Sequence, residues 1–302
     1  MTTIARPVIT RQNLKIRSGQ RIVLSHGWAR ILTMLLFAVA FVYFVVPVCW
    51  LFVASTKSAG DLYTTPSFAF AEFRLFENIS SLFAYQNGVY LRWIANSILY
   101  SVIGSLLTVL VSAMCGYGLA VYQFRGRRII LGAVMVSFLV PGAALTQPLY
   151  LQLVRMGLNN NILGVILPAL VYPFGVMFSW LTVRASVPME IIEAARVDGA
   201  GEIRTFFQIV MPMMRVGLTT VFLFTFMGSW NNYMLPMMIL DDPELYPLAV
   251  GLVDWNKQST SVAQLGTLTL VGSFVSLMPL ILVFIFSQRY WKSGIAAGGV
   301  KM

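Results

Sequence analysis

The sequence predicts an all-α membrane protein of six transmembrane helices with both termini cytoplasmic, and three observations carry the prediction. The composition suits a bilayer: of 302 residues 58% are apolar and only 11% charged, with a mean hydropathy of +0.78. Charged residues avoid six runs, at 31–56, 93–124, 129–154, 156–183, 216–240 and 258–288. Each run exceeds the roughly 20 residues that cross about 30 Å of hydrocarbon. Finally, the basic residues are lopsided. With the first segment inside, segments 1–30, 125–128, 184–215 and 288–302 hold 16 of the 21 Lys/Arg, and the opposite side holds five. That is a positive-inside pattern.

Taken in order, residues 1–30 form a basic cytoplasmic tail, with Arg6, Arg11, Lys15, Arg17, Arg21 and Arg30 and no acid. The first apolar run follows it at full span length, unlike a cleavable signal. Residues 31–302 read as one membrane domain with spans near 31–54, 95–121, 129–152, 161–182, 216–238 and 265–287. Segment 57–92 is too apolar for a free linker, with Pro66 and four phenylalanines between Phe68 and Phe76, and is predicted to fold over the external mouth. Arg125-Gly126-Arg127-Arg128 and residues 155–160 are tight turns on opposite sides. Prolines 47, 141, 148, 168, 173, 236 and 279 lie within the apolar runs and predict bent helices. Cys49 and Cys115, both inside spans, are expected to be small packing residues rather than a disulfide or metal pair. The net charge of +10 is thereby a topology signal with some attraction to anionic lipid, and implies no nucleic-acid partner.

The cytoplasmic loop 184–215 holds the most informative segment. Pro188 suits the start of a helix, which then runs to Asp198 with Glu190, Glu193 and Arg196 exposed. Ile191, Ile192, Ala194, Ala195 and Val197 supply its apolar surface, and the two alanines keep the partner-facing side low. Asp198 is expected to cap a second helix, Glu202 to Met211, across a turn that Gly199 and Gly201 permit. A helical hairpin of this kind suits docking into another protein, whereas a passive connector has no need of it.

The spacing Glu193-Ala194-Ala195, three residues, Gly199, nine residues, Ile209, one residue, Met211-Pro212 resembles the coupling loop of ABC importer permeases. Met211 stands where leucine is usual. Thr182-Val183-Arg184, Ser229-Trp230-Asn231-Asn232-Tyr233 with Pro236, and the tail from Gln288 to Lys301 resemble the carbohydrate branch, in particular the smaller permease of maltose-type systems. The resemblance covers about 31–302 and implies a type I ABC importer permease fold. It further implies that Glu193, Ala194, Ala195 and Gly199, with Arg196 and Asp198 beside them, dock into a cleft of an ATPase subunit.

The spans contain no Lys, Arg, Asp, Glu or His, which argues against proton or sodium coupling. No Gly-x-x-x-x-Gly-Lys-[Ser/Thr] loop is present, so ATP and Mg are expected on partner subunits and the chain itself is not expected to be an enzyme. Trp230, Asn231, Asn232, Tyr233 and Gln147, then Tyr150 and Asn96, are candidates for a path that takes a neutral, hydroxyl-rich solute. Hydrogen bonding between helices is the competing reading. Asp241, Asp242, Glu244, Asp254 and Trp255 in the external loop 241–264 read either as contacts for a solute-binding protein or as a solvated cap. The resemblance thus implies half of a translocation channel for a sugar or oligosaccharide. A homologous second permease, two ATP-binding subunits, a solute-binding protein and a bacterial or archaeal cytoplasmic membrane complete the system. Glycerol phosphate is an alternative cargo, and a non-transporting scaffold an alternative role.

Overall fold

The protein is described by a computed structural model over residues 27–298. The basic tail up to His26, and the last residues from Gly299, lie outside the described residues. The chain divides into two units, Met1–Cys49 and Trp50–Met302. In the first, the described residues belong to helix α1, Gly27–Ser55, whose final turns enter the second unit. At 1.5 Å per residue α1 is about 44 Å long, enough to cross a bilayer, and Pro47 leaves it continuous.

The second unit contains α2 (Leu75–Ala84), α3 (Val89–Val121), α4 (Arg127–Ser137), α5 (Gly142–Arg155), α6 (Ile162–Ala169) and α7 (Pro173–Ser186). After these come α8 (Met189–Val197), α9 (Glu202–Met213), α10 (Arg215–Trp230), α11 (Met234–Ile239), α12 (Leu248–Gln258) and α13 (Ala263–Gly298). Among the described residues there is no strand.

Among the described residues three helical stretches are candidate spans, and up to six if each bent helix pair counts as one span. The three that are long and apolar enough to cross are Arg30–Ser55, Leu75–Val121, which is kinked at Gln86 and Asn87, and Ala263–Gln288. The others are bent pairs: α4 with α5 at 106°, α6 with α7 at 42°, and α9 with α10 at 82°. The expected span at 129–152 breaks before Pro141, which is extended (φ −66°, ψ 126°) and lacks the N–H that the ladder needs. The 161–182 span breaks at Tyr172 (φ −127°, ψ 89°), held out of the helical region by Pro173. The expected 216–238 span stops at Trp230, turns through Asn231–Tyr233, and resumes as α11.

Helix α3 is the centre of the second unit, with α7 and α10 packed along it. Its contact face is a seam of small residues, Ser97, Ser101, Gly104, Ser105, Thr108, Ser112 and Gly116, all buried or nearly so. A Cβ on Gly116 would lie 2.5 Å from Ser179 Cβ, and one on Gly175 would lie 2.5 Å from Ser112 Oγ. The α3 and α7 backbones therefore approach as closely as glycine allows, the packing expected where lipid removes the hydrophobic drive between helices.

The 57–92 segment is ordered rather than loose. Asn78 Nδ2 donates to the carbonyls of Ser55 (2.9 Å) and Lys57 (3.0 Å), while the buried Lys57 Nζ donates to Pro66 O (2.8 Å). Helix α2 then packs on α13. Cys49 and Cys115 are exposed on their helices, so the expectation that they pack inside is corrected. A cysteine is apolar enough to face hydrocarbon.

Candidate functional site

The hairpin forms as the sequence spacing requires, with two corrections. Helix α8 ends in a left-handed Gly199 (φ 78°), whose N–H donates to Arg196 O (3.1 Å), while Ala200 N–H donates to Ala195 O (2.9 Å). This pair of bonds is a Schellman motif, and it explains the glycine through its φ alone, since open space surrounds the missing Cβ. Asp198 ends α8 and caps nothing; Gly201 occupies the N-cap of the next helix without a side-chain bond. The two alanines separate: Ala195 is buried, as is Ile192, which packs with Phe206 and Val210, and Ala194 is exposed. The outward surface consists of Glu190, Glu193, Ala194, Asp198, Val197 (87% exposed) and Ile203 (77% exposed).

Arg196 is already engaged within the chain. Its Nε donates to Glu202 Oε1 at 2.8 Å, and its guanidinium lies 5.9 Å from the ring centre of Tyr122. Glu202 Oε2 accepts from the Tyr117 hydroxyl (3.2 Å) and from the Tyr122 hydroxyl. The bond from Arg196, reinforced by the one from Tyr122, holds the Glu202 carboxyl below its ordinary range, and the same bond to Glu202 raises Arg196. Sequence reasoning missed Glu202, although an acid at the first turn of a helix six residues after an exposed arginine was a signal.

A second feature lies where three helix breaks meet. The turns before α5, after α6 and between α10 and α11 surround a cavity of about 450 Å³, lined among others by Gly142, Thr146, Pro168, Asn231, Asn232 and Tyr233. A smaller one of about 280 Å³ shares Val165, Ala169 and Asn232 with it and is lined by Ser105, Thr108 and Ser229. Neither lining contains a charged side chain. The buried Ser105 hydroxyl has no hydrogen-bond partner among the described residues. Asn231, Asn232 and Tyr233 all line the larger cavity, but Trp230 does not join them. It is 4% exposed and stacks on Phe226 at 5.7 Å, because the α10 turn that carries it faces the core. Gln147 is exposed and Thr146, one position earlier on α5, takes its place on the cavity wall. Asn96 donates to the carbonyls of Glu244 (2.7 Å) and Tyr246 (3.0 Å), so it joins segments and stands outside the linings of both cavities.

Segment 241–264 is fastened to α3. Trp255 is 2% exposed, 4.7 Å from Trp93 and stacked with Tyr90 at 6.2 Å, which corrects its place among the contact residues. Gly251 lies flat against the Trp93 ring, leaving no room for a Cβ. Glu244 pairs with Arg92, and Asp254 Oδ2 accepts from Gln258 Nε2 at 2.8 Å. Asp242 Oδ1 accepts from the Glu244 N–H (2.9 Å), and Asn160 Oδ1 accepts from the N–H groups of Asp241 (3.1 Å) and Asp242 (3.0 Å). The acids remain partly or fully exposed, on a rigid element.

Comparison with known proteins places these features in context. Residues 108–296 match the family described as "binding-protein-dependent transport system inner membrane component". The chain is 35% identical over 217 residues to the arabinooligosaccharides transport system permease protein AraQ of Halalkalibacterium halodurans, covering 71% of this chain and 75% of the relative. It is 32% identical to the diacetylchitobiose uptake system permease protein NgcG of Streptomyces coelicolor, over 84% of this chain and 83% of the relative. The lactose transport system permease protein LacG of Rhizobium radiobacter is 30% identical, over 84% and 90%. Among solved structures, a bacterial ABC transporter involved in the import of the acidic polysaccharide alginate superposes with a TM-score of 0.74 at 21% identity, over 87% of this chain and 96% of that one.

Proposed function

The chain belongs to the binding-protein-dependent transport system inner membrane component family, a multi-pass membrane protein, and from that premise we propose that it forms half of an ATP-driven import path for a neutral oligosaccharide. The carrying observation is the uncharged cavity at the helix breaks, where amide, phenol and hydroxyl groups collect around Asn232. Such groups exchange hydrogen bonds with sugar hydroxyls and impose no fixed charge. The names of the relatives agree with a sugar cargo. A phosphorylated polyol is disfavoured, because a dianionic group calls for Arg or Lys and the lining contains neither.

In this reading a homologous permease supplies the other half, two ATPase subunits bind ATP and Mg, and a solute-binding protein delivers cargo. The hairpin Met189–Met213 docks on an ATPase through Glu193, Ala194 and the exposed rim around Gly199. The hairpin side is cytoplasmic, the 241–264 side faces out, and the membrane is a bacterial cytoplasmic membrane. Uptake of labelled oligosaccharide into proteoliposomes containing the complete complex tests the proposal. Asn232→Ala is expected to lower uptake at least about tenfold, the effect of losing roughly 1.4 kcal/mol of contact, with the complex still assembled. Undiminished uptake in Asn232→Ala and Tyr233→Ala would place the solute path elsewhere.

A further inference from the structure

Arg196, Glu202, Tyr122 and Tyr117 meet at one point, although they come from three elements. Arg196 lies near the end of α8, Glu202 opens α9, Tyr122 follows the last residue of α3, and Tyr117 lies one turn inside it. The carboxylate of Glu202 takes the guanidinium on one oxygen and both phenols on the other. Tyr117 and Tyr122 meet edge to face at 5.9 Å, and Tyr117 also touches the Phe206 ring (5.4 Å) of α9. Beneath this polar point Ile192, Phe206 and Val210 pack with Tyr117 and Val121. The hairpin is thus joined twice to the end of the central helix, once by apolar packing and once by a directional, charge-assisted set of bonds.

We infer that Arg196, Glu202 and Tyr122 are positioning residues that fix the angle of the hairpin against α3, so that displacement of a docked hairpin moves α3 with it. The apolar contact alone permits the hairpin to slide, because packing is non-directional. The three-way bond at Glu202 removes that freedom, as a bond to two phenols and a guanidinium has one geometry. Helix α3 in turn carries the small-residue seam against α7 and α10 and the Ser105 and Thr108 groups on the cavity wall. Arg196 therefore acts inward, on its own chain, and is not one of the residues that face the ATPase. The inference rests on the docking reading above.

Its test uses the complete reconstituted complex with its binding protein, and reads two quantities: co-purification of the ATPase subunits, and ATP hydrolysed per solute imported. Tyr122→Phe removes one oxygen and retains the ring. It is expected to leave co-purification unchanged while raising ATP per solute at least about fivefold, the lower end of typical coupling between sites. Glu202→Gln is expected to do the same, and the double variant no more than either single one, since all three residues serve one joint. If both single variants assemble normally and hydrolyse wild-type amounts of ATP per solute, the joint is structural glue and the inference fails. Should Tyr122→Phe impair assembly, Arg196→Lys supplies the same readout, because it retains charge but loses the planar geometry. Failure of the docking reading has a different signature: Gly199→Pro and Glu193→Ala would then leave co-purification and ATP per solute both unchanged.

Discussion

At Glu202 one carboxylate serves three partners, and its protonation has a predictable consequence. Its folded pKa is depressed below the ordinary glutamate value of about 4.3, mainly by Arg196. A depressed carboxylate contributes stability that is present above the unfolded value and is lost as pH falls through the folded one. Hydrogen exchange of the Arg196–Glu202 backbone is therefore expected to stay slow from neutral pH down to about 4 and to accelerate below it, after correction for intrinsic rates. Glu202→Gln should abolish that pH dependence, and an identical profile in the variant would remove Glu202 from the account. The hairpin motif itself was legible, because Glu193, Ala194, Ala195 and Gly199 define it by local spacing. The joint was not, since the phenols that complete it lie 85 and 80 residues away from Glu202 in sequence. Local periodicity carries no information over that distance. The same limit explains Trp230 and Trp255: both look amphipathic in isolation, and only tertiary packing assigns them to the core.

Among the elements, apolar runs located the helices but not their breaks. Pro47 and Pro279 lie inside continuous helices, whereas Pro141 and Pro173 stand at sharp bends. The residue type is the same in all four cases. A sequence does not separate the two outcomes, because the response of a helix to proline depends on neighbours that it does not display. The seam on α3 was also unread, since serines scattered through an apolar run look merely tolerated. It makes a paired prediction. Gly116→Ala forces a Cβ to within 2.5–2.8 Å of Ser179 and Trp180 atoms on α7, an overpacking expected to cost about 1–3 kcal/mol. Gly118→Ala, two residues on, meets nothing within 4 Å and should be neutral or slightly stabilising. Thermal unfolding in detergent distinguishes them, and equal melting temperatures would mean that α3 and α7 stand further apart than described.

For the whole molecule, the strongest sequence signal is the asymmetry of basic residues, and it predicts an orientation. The hairpin and the turn at Arg125–Arg128 belong to the Lys/Arg-rich side; Asp241–Gln264 belongs to the poor side. With the exposed Cys49 and Cys115 replaced by alanine, Gln264→Cys is expected to react with an impermeant maleimide in intact cells, and Asp198→Cys only after permeabilisation. Labelling of both in intact cells would overturn the topology. The fold class and the helical hairpin followed from composition and spacing, both of which are properties of a single strand of text. The cavity required three breaks from distant segments to converge, which no one-dimensional pattern states.

The 82° elbow between α9 and α10 turns the hairpin into a crank. Helix α9 is an arm of about 18 Å at 1.5 Å per residue, so a rotation of about 10° at the elbow sweeps its far end through roughly 3 Å. The elbow is at Met214, fully buried with Val210 and Val221, so the pivot is seated in the core, while the Gly199 end, held to α3 through Glu202, takes the end of α3 with it when it moves. A crank also has a phase. Each residue added to α9 would turn the tip by about 100° about the arm and swing Glu193 and Ala194 away from whatever they face. The fixed interval between Gly199 and Ile209 is, on this geometry, a timing mark: it sets the direction in which the stroke is delivered.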